Sequence, residues 1–247
     1  IDNIAFDEKD VASLKSAAET SIGAYLMVST AWVYNALGQP HAAQSISESD
    51  FCVKKFPDRD TICSRLASQN LPDITRSYIM NKVAAEAAAH RLNCRKIIVR
   101  PCMISGAGDH LGRIQFYTER IARGLRIAKH TNWSLQFQLG WVDDVARAMV
   151  ALVEQPEIDG QTFNICPPAL TSVEEIVSII GRALRQKPQI VSFDDPSLES
   201  DYMTREPFSF FVSACYSSDA LIRTVPDFLY RPLEKWVGEV ATEMSTS

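Results

Sequence analysis

Ala24-Tyr25-Leu26-Met27-Val28 is an unbroken apolar run, preceded by Gly23 and closed by the hydroxyl residues Ser29-Thr30. Such a run, bounded by turn signals, predicts a strand buried on both faces, as in a parallel sheet covered by helices. Working outward, Lys96-Ile97-Ile98-Val99 repeats the pattern and is stopped by Arg100-Pro101. Thr162-Phe163-Asn164-Ile165-Cys166 and Gln189 to Phe193 read as further strands, and Ile1 to Phe6 reads as the end of one. Between them lie helical patterns: Glu8 to Glu19, the alanine-rich Thr75 to Leu92, Arg113 to Arg123, and Val142 to Gln155. Thr171 to Leu184 follows, with Thr171-Ser172-Val173-Glu174 as its capping box. Two short helices are expected around Pro226 and Pro232. Asn35 to Asp73 reads as a long loop with one short helix near Thr61 to Ser68. Strands alternating with helices predict an α/β fold with a parallel sheet covered on both sides.

The most informative chemistry lies in Tyr78-Ile79-Met80-Asn81-Lys82. Residues four apart on a helix share a face, so Lys82 stands beside the Tyr78 phenol. A cation there favours phenolate and lowers the tyrosine pKa from about 10. A phenol so tuned exchanges protons with a substrate hydroxyl near neutral pH. The spacing also arises by chance, so its context matters. Ser29 and Thr30 sit at a strand's C-terminal end, where open α/β sheets bind ligands. Downstream come Val99-Arg100-Pro101, Gly106-Ala107-Gly108-Asp109, Gly140-Trp141-Val142-Asp143-Asp144-Val145-Ala146-Arg147-Ala148, and Gly160-Gln161-Thr162-Phe163-Asn164-Ile165.

Taken in order over nearly the whole chain, these segments resemble the extended short-chain dehydrogenase/reductase superfamily, the NAD-dependent epimerase/dehydratase family. The resemblance implies a Rossmann-like doubly wound parallel sheet and a smaller C-terminal substrate lobe. Residues 1–102 and about 133–156 would form the dinucleotide-binding domain, and about 103–132 with 157–247 the substrate lobe. It implies Thr30, Tyr78 and Lys82 as catalytic residues, with Tyr78 the acid/base. NAD or NADP would be held by Ala5, Ser29, Tyr78, Lys82, Pro101 and Ile104. The activity implied is that of an epimerase or reductase acting on a nucleotide sugar or similar secondary alcohol or ketone. Ala31-Trp32 stands where the family's sugar dehydratases carry an acidic pair, which argues against a 4,6-dehydratase. A homodimer through the Tyr78 helix is implied too, and the run Ala84 to Ala89, interrupted only by Glu86, would allow close helix approach.

One departure is serious. The family opens with a glycine-rich strand-to-helix turn that cradles the pyrophosphate, and nothing before Tyr25 offers it. Gly106-Ala107-Gly108 is the one GxG of the sequence, and it reads as a loop after a later strand. Ile1 to Phe6 would then be the family's fourth strand, with the first three preceding it in a parent polypeptide. A non-redox relative on the same scaffold, either a cofactor-free lyase or cyclase or a binding or assembly subunit, is the second reading.

Composition sets the outer bounds. Of 247 residues, 46% are apolar and 22% charged, ample for a sizeable core. With 25 basic against 30 acidic residues, the net charge of −5 argues against nucleic acid as a partner. No apolar run approaches the ~20 residues that cross a bilayer. The first ten residues hold four acids and one lysine, unlike a signal peptide. A cytoplasmic protein is expected. Six cysteines without a CxxC pair read as free, mostly buried thiols. The four histidines have no metal spacing, and no metal is expected. Asp143-Asp144 could be a carboxylate pair, but their place at a helix start favours capping. Arg113 and Arg120 could meet a substrate phosphate or lie on a solvated helix face.

Overall fold

The computed structural model describes residues 1–15, 21–38, 45–53, 58–208 and 214–245. The chain divides into two compact units. The first comprises Ile1–Cys102, Val145–Pro168 and Ala214–Phe228, and the second Met103–Asp144, Ala169–Ser213 and Leu229–Ser247.

The first unit is built on a parallel sheet of β1 (Ala24–Val28), β3 (Arg95–Pro101) and β7 (Gln161–Ile165), in the order β1-β3-β7. Leu26 pairs with Ile97 and Ile97 with Gln161. On the outer edge of β1, Asp2 makes a parallel bridge to Met27. Its N–H donates to the Leu26 carbonyl at 2.7 Å and its carbonyl accepts from Val28 at 2.9 Å. The apolar runs become strands because every position is covered. Tyr25, Met27 and Ile98 pack on one face against Val11 of α1 (Glu8–Ser13) and Ala85, Ala88 and Ala89 of α3 (Asp73–Ala89). α1 is capped by Asp7, which accepts from Lys9 and Asp10. α3 starts two residues before the expected Thr75 and stops at Ala89, and Leu92 turns into the core.

The expected loop from Asn35 to Asp73 holds more structure than its polarity suggests. A 3₁₀ run covers Ala31–Leu37, capped by the Thr30 hydroxyl accepting from Trp32 N–H at 3.2 Å. The two-residue strand β2 (Ser45–Ile46) pairs with β9 (Cys215–Tyr216), and α2 (Arg59–Ala67) covers the expected short helix. Helix α8 (Asp219–Thr224), which follows the short α7 (Tyr202–Arg205) in sequence, lies beside β7.

In the second unit, β4 (Met103–Ser105) pairs with β6 (Leu139–Trp141), and β5 (Arg126–Lys129) with β8 (Gln189–Ser192), all parallel. Helices α4 (Arg113–Ala122), α6 (Val173–Leu184) and α9 (Leu233–Ser245) share a core that includes Ile114, Tyr117, Ile176, Ile180, Trp236 and Val240. The cap of α6 is Ser172 rather than Thr171: its hydroxyl accepts from Glu175 N–H at 3.2 Å, and Thr171 instead donates to the Glu175 carboxylate. α9 is longer than the short helix expected near Pro232.

The division differs from the expected one. Residues 133–144 lie in the second unit, whereas 157–168 and 214–228 lie in the first. The reason is strand pairing: β7 extends the sheet of β1 and β3, and β9 follows it through β2. The described cysteines form no disulfide, and only Cys102 and Cys166 are buried, fewer than expected. Among the described residues no helix is long and apolar enough to cross a membrane.

Candidate active site

The exit of β1 and the first half of α3 build the site. β1 delivers Val28, Ser29 and Thr30 at its C-terminal end, and Ser29 N–H donates to Val99 of β3 at 2.8 Å. Opposite, α3 presents Tyr78 and Lys82 one turn apart. Thr30 and Lys82 are buried, and Tyr78 is half-buried. The Thr30 hydroxyl lies close enough to the Tyr78 phenol to favour its ionised form. Lys82 Nζ donates to the carbonyls of Ala5 at 2.7 Å and Val28 at 3.0 Å. Phe6 covers the Tyr78 ring, centroid to centroid 5.9 Å.

The electrostatics reverse one expectation. The Tyr78 phenol lies above its ordinary pKa, because burial penalises phenolate more than the Thr30 hydroxyl stabilises it. Lys82 does not pull it down. Its Nζ is turned to the two carbonyls and stands 6.0 Å from the ring centroid. Burial also holds Lys82 below the ordinary lysine range, against the attraction of Asp2, Glu86 and Asp10.

The other expected cofactor residues are distributed as follows. Ala5 is buried and offers its carbonyl to Lys82. The Ser29 hydroxyl is committed to the Glu86 carboxylate at 2.5 Å. Pro101 ends β3 in the first unit. Ile104 belongs to β4 of the second unit, where its carbonyl accepts from Arg113 at 2.9 Å. Arg113 also grips Asp109 at 2.9 and 3.0 Å, and Arg120 binds Glu199 at 2.7 Å and stacks on Tyr202, so neither extends into solvent as expected. The Gly106 loop follows β4. An added Cβ at Gly106 would lie 2.7 Å from Val142 Cγ1, at φ +150°. Asp109 occupies the mouth of this loop with its carboxylate on Ser105 and Arg113, a poor cradle for a phosphate. Asp144 accepts from Arg231 N–H at 2.7 Å, and both Asp143 and Asp144 lie in the first turn of α5 (Val142–Val153).

Sequence reasoning missed Glu86 and Arg100. They form a fully buried ion pair, Nη2 to Oε2 2.6 Å and Nε to Oε1 2.9 Å. The signal available was Glu86 itself, one turn beyond Lys82 in an otherwise alanine-rich stretch.

The model of the NAD dependent epimerase/dehydratase family matches residues 54–166. A search of curated proteins finds no match. Among solved structures, RMD from Pseudomonas aeruginosa, complexed with NADPH, is 18% identical with a TM-score of 0.69, over 97% of this chain and 73% of that one. WbmH from Bordetella bronchiseptica, in complex with NAD+, is 15% identical with a TM-score of 0.64, over 97% and 67%. A UDP-glucose 4-epimerase from Thermotoga maritima, solved with UDP-glucose, is 14% identical with a TM-score of 0.67, over 96% and 68%. At these identities the structures speak for the fold, and the family match is a similarity over residues 54–166. Over residues 54–166 the chain is thus similar to the NAD dependent epimerase/dehydratase family, and it shares the fold of these structures, with Ser29-Thr30 at the exit of β1 and Tyr78 and Lys82 on α3.

Proposed function

We propose that the chain acts as an NAD(P)-dependent epimerase or reductase on a secondary alcohol or ketone of nucleotide-sugar type, as a two-fold homodimer, with Tyr78 as the acid/base. The observation that carries this reading is Lys82 of α3 bound to the Val28 carbonyl at the C-terminal end of β1, with Tyr78 one turn away on the same helix and the Thr30 hydroxyl beside its phenol. Ligands of open α/β sheets bind at that end of the strands.

The residues fit the nicotinamide riboside half of the cofactor. A lysine has three N–H donors, and two of those on Lys82 go to Ala5 and Val28, which leaves one for a ribose hydroxyl. The described residues offer no glycine-rich cradle for the pyrophosphate, and no step here depends on one. The nicotinamide, when bound, supplies the hydride acceptor and donor. The chain's own work is at oxygen. Thr30 Oγ and Tyr78 Oη together fix the reacting oxygen of the substrate. With its pKa raised by burial, Tyr78 holds its proton and is poised to donate it to a ketone oxygen, the direction of reduction. The substrate class is suggested by the UDP-glucose of the Thermotoga maritima structure.

The test is Tyr78→Phe, assayed with UDP-hexoses and each nicotinamide cofactor. Turnover should fall by about 10²–10⁴, the usual contribution of a positioned proton donor, with the far-UV spectrum unchanged. Undiminished turnover would remove Tyr78 from the mechanism.

A further inference from the structure

Glu86 lies one turn beyond Lys82 and two beyond Tyr78 on α3, so the three side chains form one stripe along the helix. It is fully buried yet takes no part in proton transfer as described above. Its Oε1 accepts from Ser29 Oγ at 2.5 Å and from Arg100 Nε at 2.9 Å, and its Oε2 accepts from Arg100 Nη2 at 2.6 Å. Arg100 is itself immobilised. It donates to the Phe51 carbonyl at 3.2 Å and to Tyr34 Oη at 3.1 Å, and its guanidinium lies 4.9 and 4.8 Å from the Tyr34 and Phe51 ring centroids. Tyr34 passes the restraint to β7 by donating to Asn164 at 2.7 Å.

A buried ion pair is a weak way to stabilise a core, since well-packed apolar residues often do as well or better. What it supplies is direction. Two successive residues at the exit of β1 are tied to the α3 stripe, Val28 through its carbonyl to Lys82 and Ser29 through its hydroxyl to Glu86, and the next, Thr30, has its hydroxyl beside the Tyr78 phenol. The Ser29–Glu86 tie is further anchored to a second strand, by Arg100 of β3.

From this arrangement we infer that Glu86, braced by Arg100, is a positioning residue: it holds the Ser29 hydroxyl, fixes the Ser29–Thr30 peptide and so sets Thr30 Oγ against Tyr78 Oη. Its effect on turnover rests on the acid/base reading of Tyr78, but the geometric role does not. The charged groups around the stripe are Lys82 and Glu86 on α3, Arg100 on β3, Asp2 at the edge of β1 and Asp10 on α1.

The test uses the full chain with tyrosine labelled by ¹³C at Cζ, the Tyr78 resonance being identified by its loss in Tyr78→Phe. Thr30→Val removes the hydroxyl beside the phenol and should shift this resonance and move its titration upward, because the Thr30 hydroxyl holds the phenol down. Ser29→Ala cuts the link while leaving the Glu86–Arg100 pair whole, so folding is not at stake. It should move the resonance and its titration in the same direction as Thr30→Val. It should also lower kcat by about ten- to a hundredfold with KM little changed, the size of effect expected when a reacting group is displaced by about 1 Å. A folded Ser29→Ala chain whose Tyr78 resonance stays at the parent position overturns the inference. If the resonance moves but Tyr78→Phe keeps full turnover, the positioning role stands and the acid/base reading falls. If Tyr78→Phe is inactive and Ser29→Ala is silent in both readouts, the positioning role alone falls.

Discussion

Replacing Arg100 by Met would test how much the buried ion pair holds the first unit together. Arg100 and Glu86 are 1% and 0% exposed. The substitution keeps an unbranched side chain in the space but removes two charge-assisted bonds to Glu86, at 2.6 and 2.9 Å, and the donor to Tyr34 Oη. Glu86 would be left with the Ser29 hydroxyl as its hydrogen-bond partner in this cluster and with Lys82, one turn away and turned to backbone carbonyls, as its counter-charge. Breaking a buried pair from one side costs about 3–5 kcal/mol, against a total stability of roughly 5–15 kcal/mol for a typical domain. With a urea dependence of about 1–3 kcal/mol per molar, the unfolding midpoint followed by far-UV circular dichroism should drop by more than about 1 M. The double variant Glu86→Met/Arg100→Met removes both charges, and it should be less destabilised than Arg100→Met alone. A loss below about 1 kcal/mol in the single variant, under the range for breaking such a pair, or a double variant as unstable as the sum of two singles, would refute the reasoning. Either result would mean that water or a rearranged side chain compensates Glu86.

Two further outcomes are expected. In the second unit, Glu206 is buried against the Tyr117 hydroxyl, with His130 Nε2 3.7 Å away, and burial pushes its carboxyl up. Its folded pKa exceeds the unfolded value of about 4.3, so its contribution to stability is whole below that value and is lost as pH rises through the folded pKa. Glu206→Gln escapes that loss, and its stability relative to the parent should rise between pH 4.5 and pH 7.5 in urea titrations. A difference independent of pH would contradict the sign. Light scattering at micromolar concentration should give twice the chain mass, since Ala84 and Ala87 stay half-buried outside the α1–sheet core that takes Ala85, Ala88 and Ala89. A monomer mass would count against the dimer.

Much of the first unit was legible in the sequence. A strand covered on both faces needs an apolar residue at every position, and this leaves continuous runs at Tyr25–Val28 and Ile97–Val99 that read as parallel strands without any structure. Alanine supplied the α3 signal, and the Tyr78–Lys82 spacing is a property of the helix itself. The two- and three-residue strands β2, β4, β6 and β9 were not legible, because so short a stretch has no period to detect. The division of the chain was misjudged near Gln161 for a related reason: whether that strand joins β3 depends on a pairing partner, Ile97, 64 residues away in sequence.

The candidate site separates in the same way. From the sequence alone came the residue types and the helical face that bears them, because i, i+4 proximity follows from backbone geometry. The direction of the Tyr78 shift was decided by the tertiary structure, which turned Lys82 toward the Ala5 and Val28 carbonyls and buried the phenol. Desolvation and hydrogen-bond direction depend on what surrounds a group, not on its neighbours in sequence. The tie of Ser29 to Glu86, 57 residues on, and of Glu86 to Arg100 on β3 likewise appears only when the register of β1 on β3 and the packing of α3 bring the three side chains within hydrogen-bond distance.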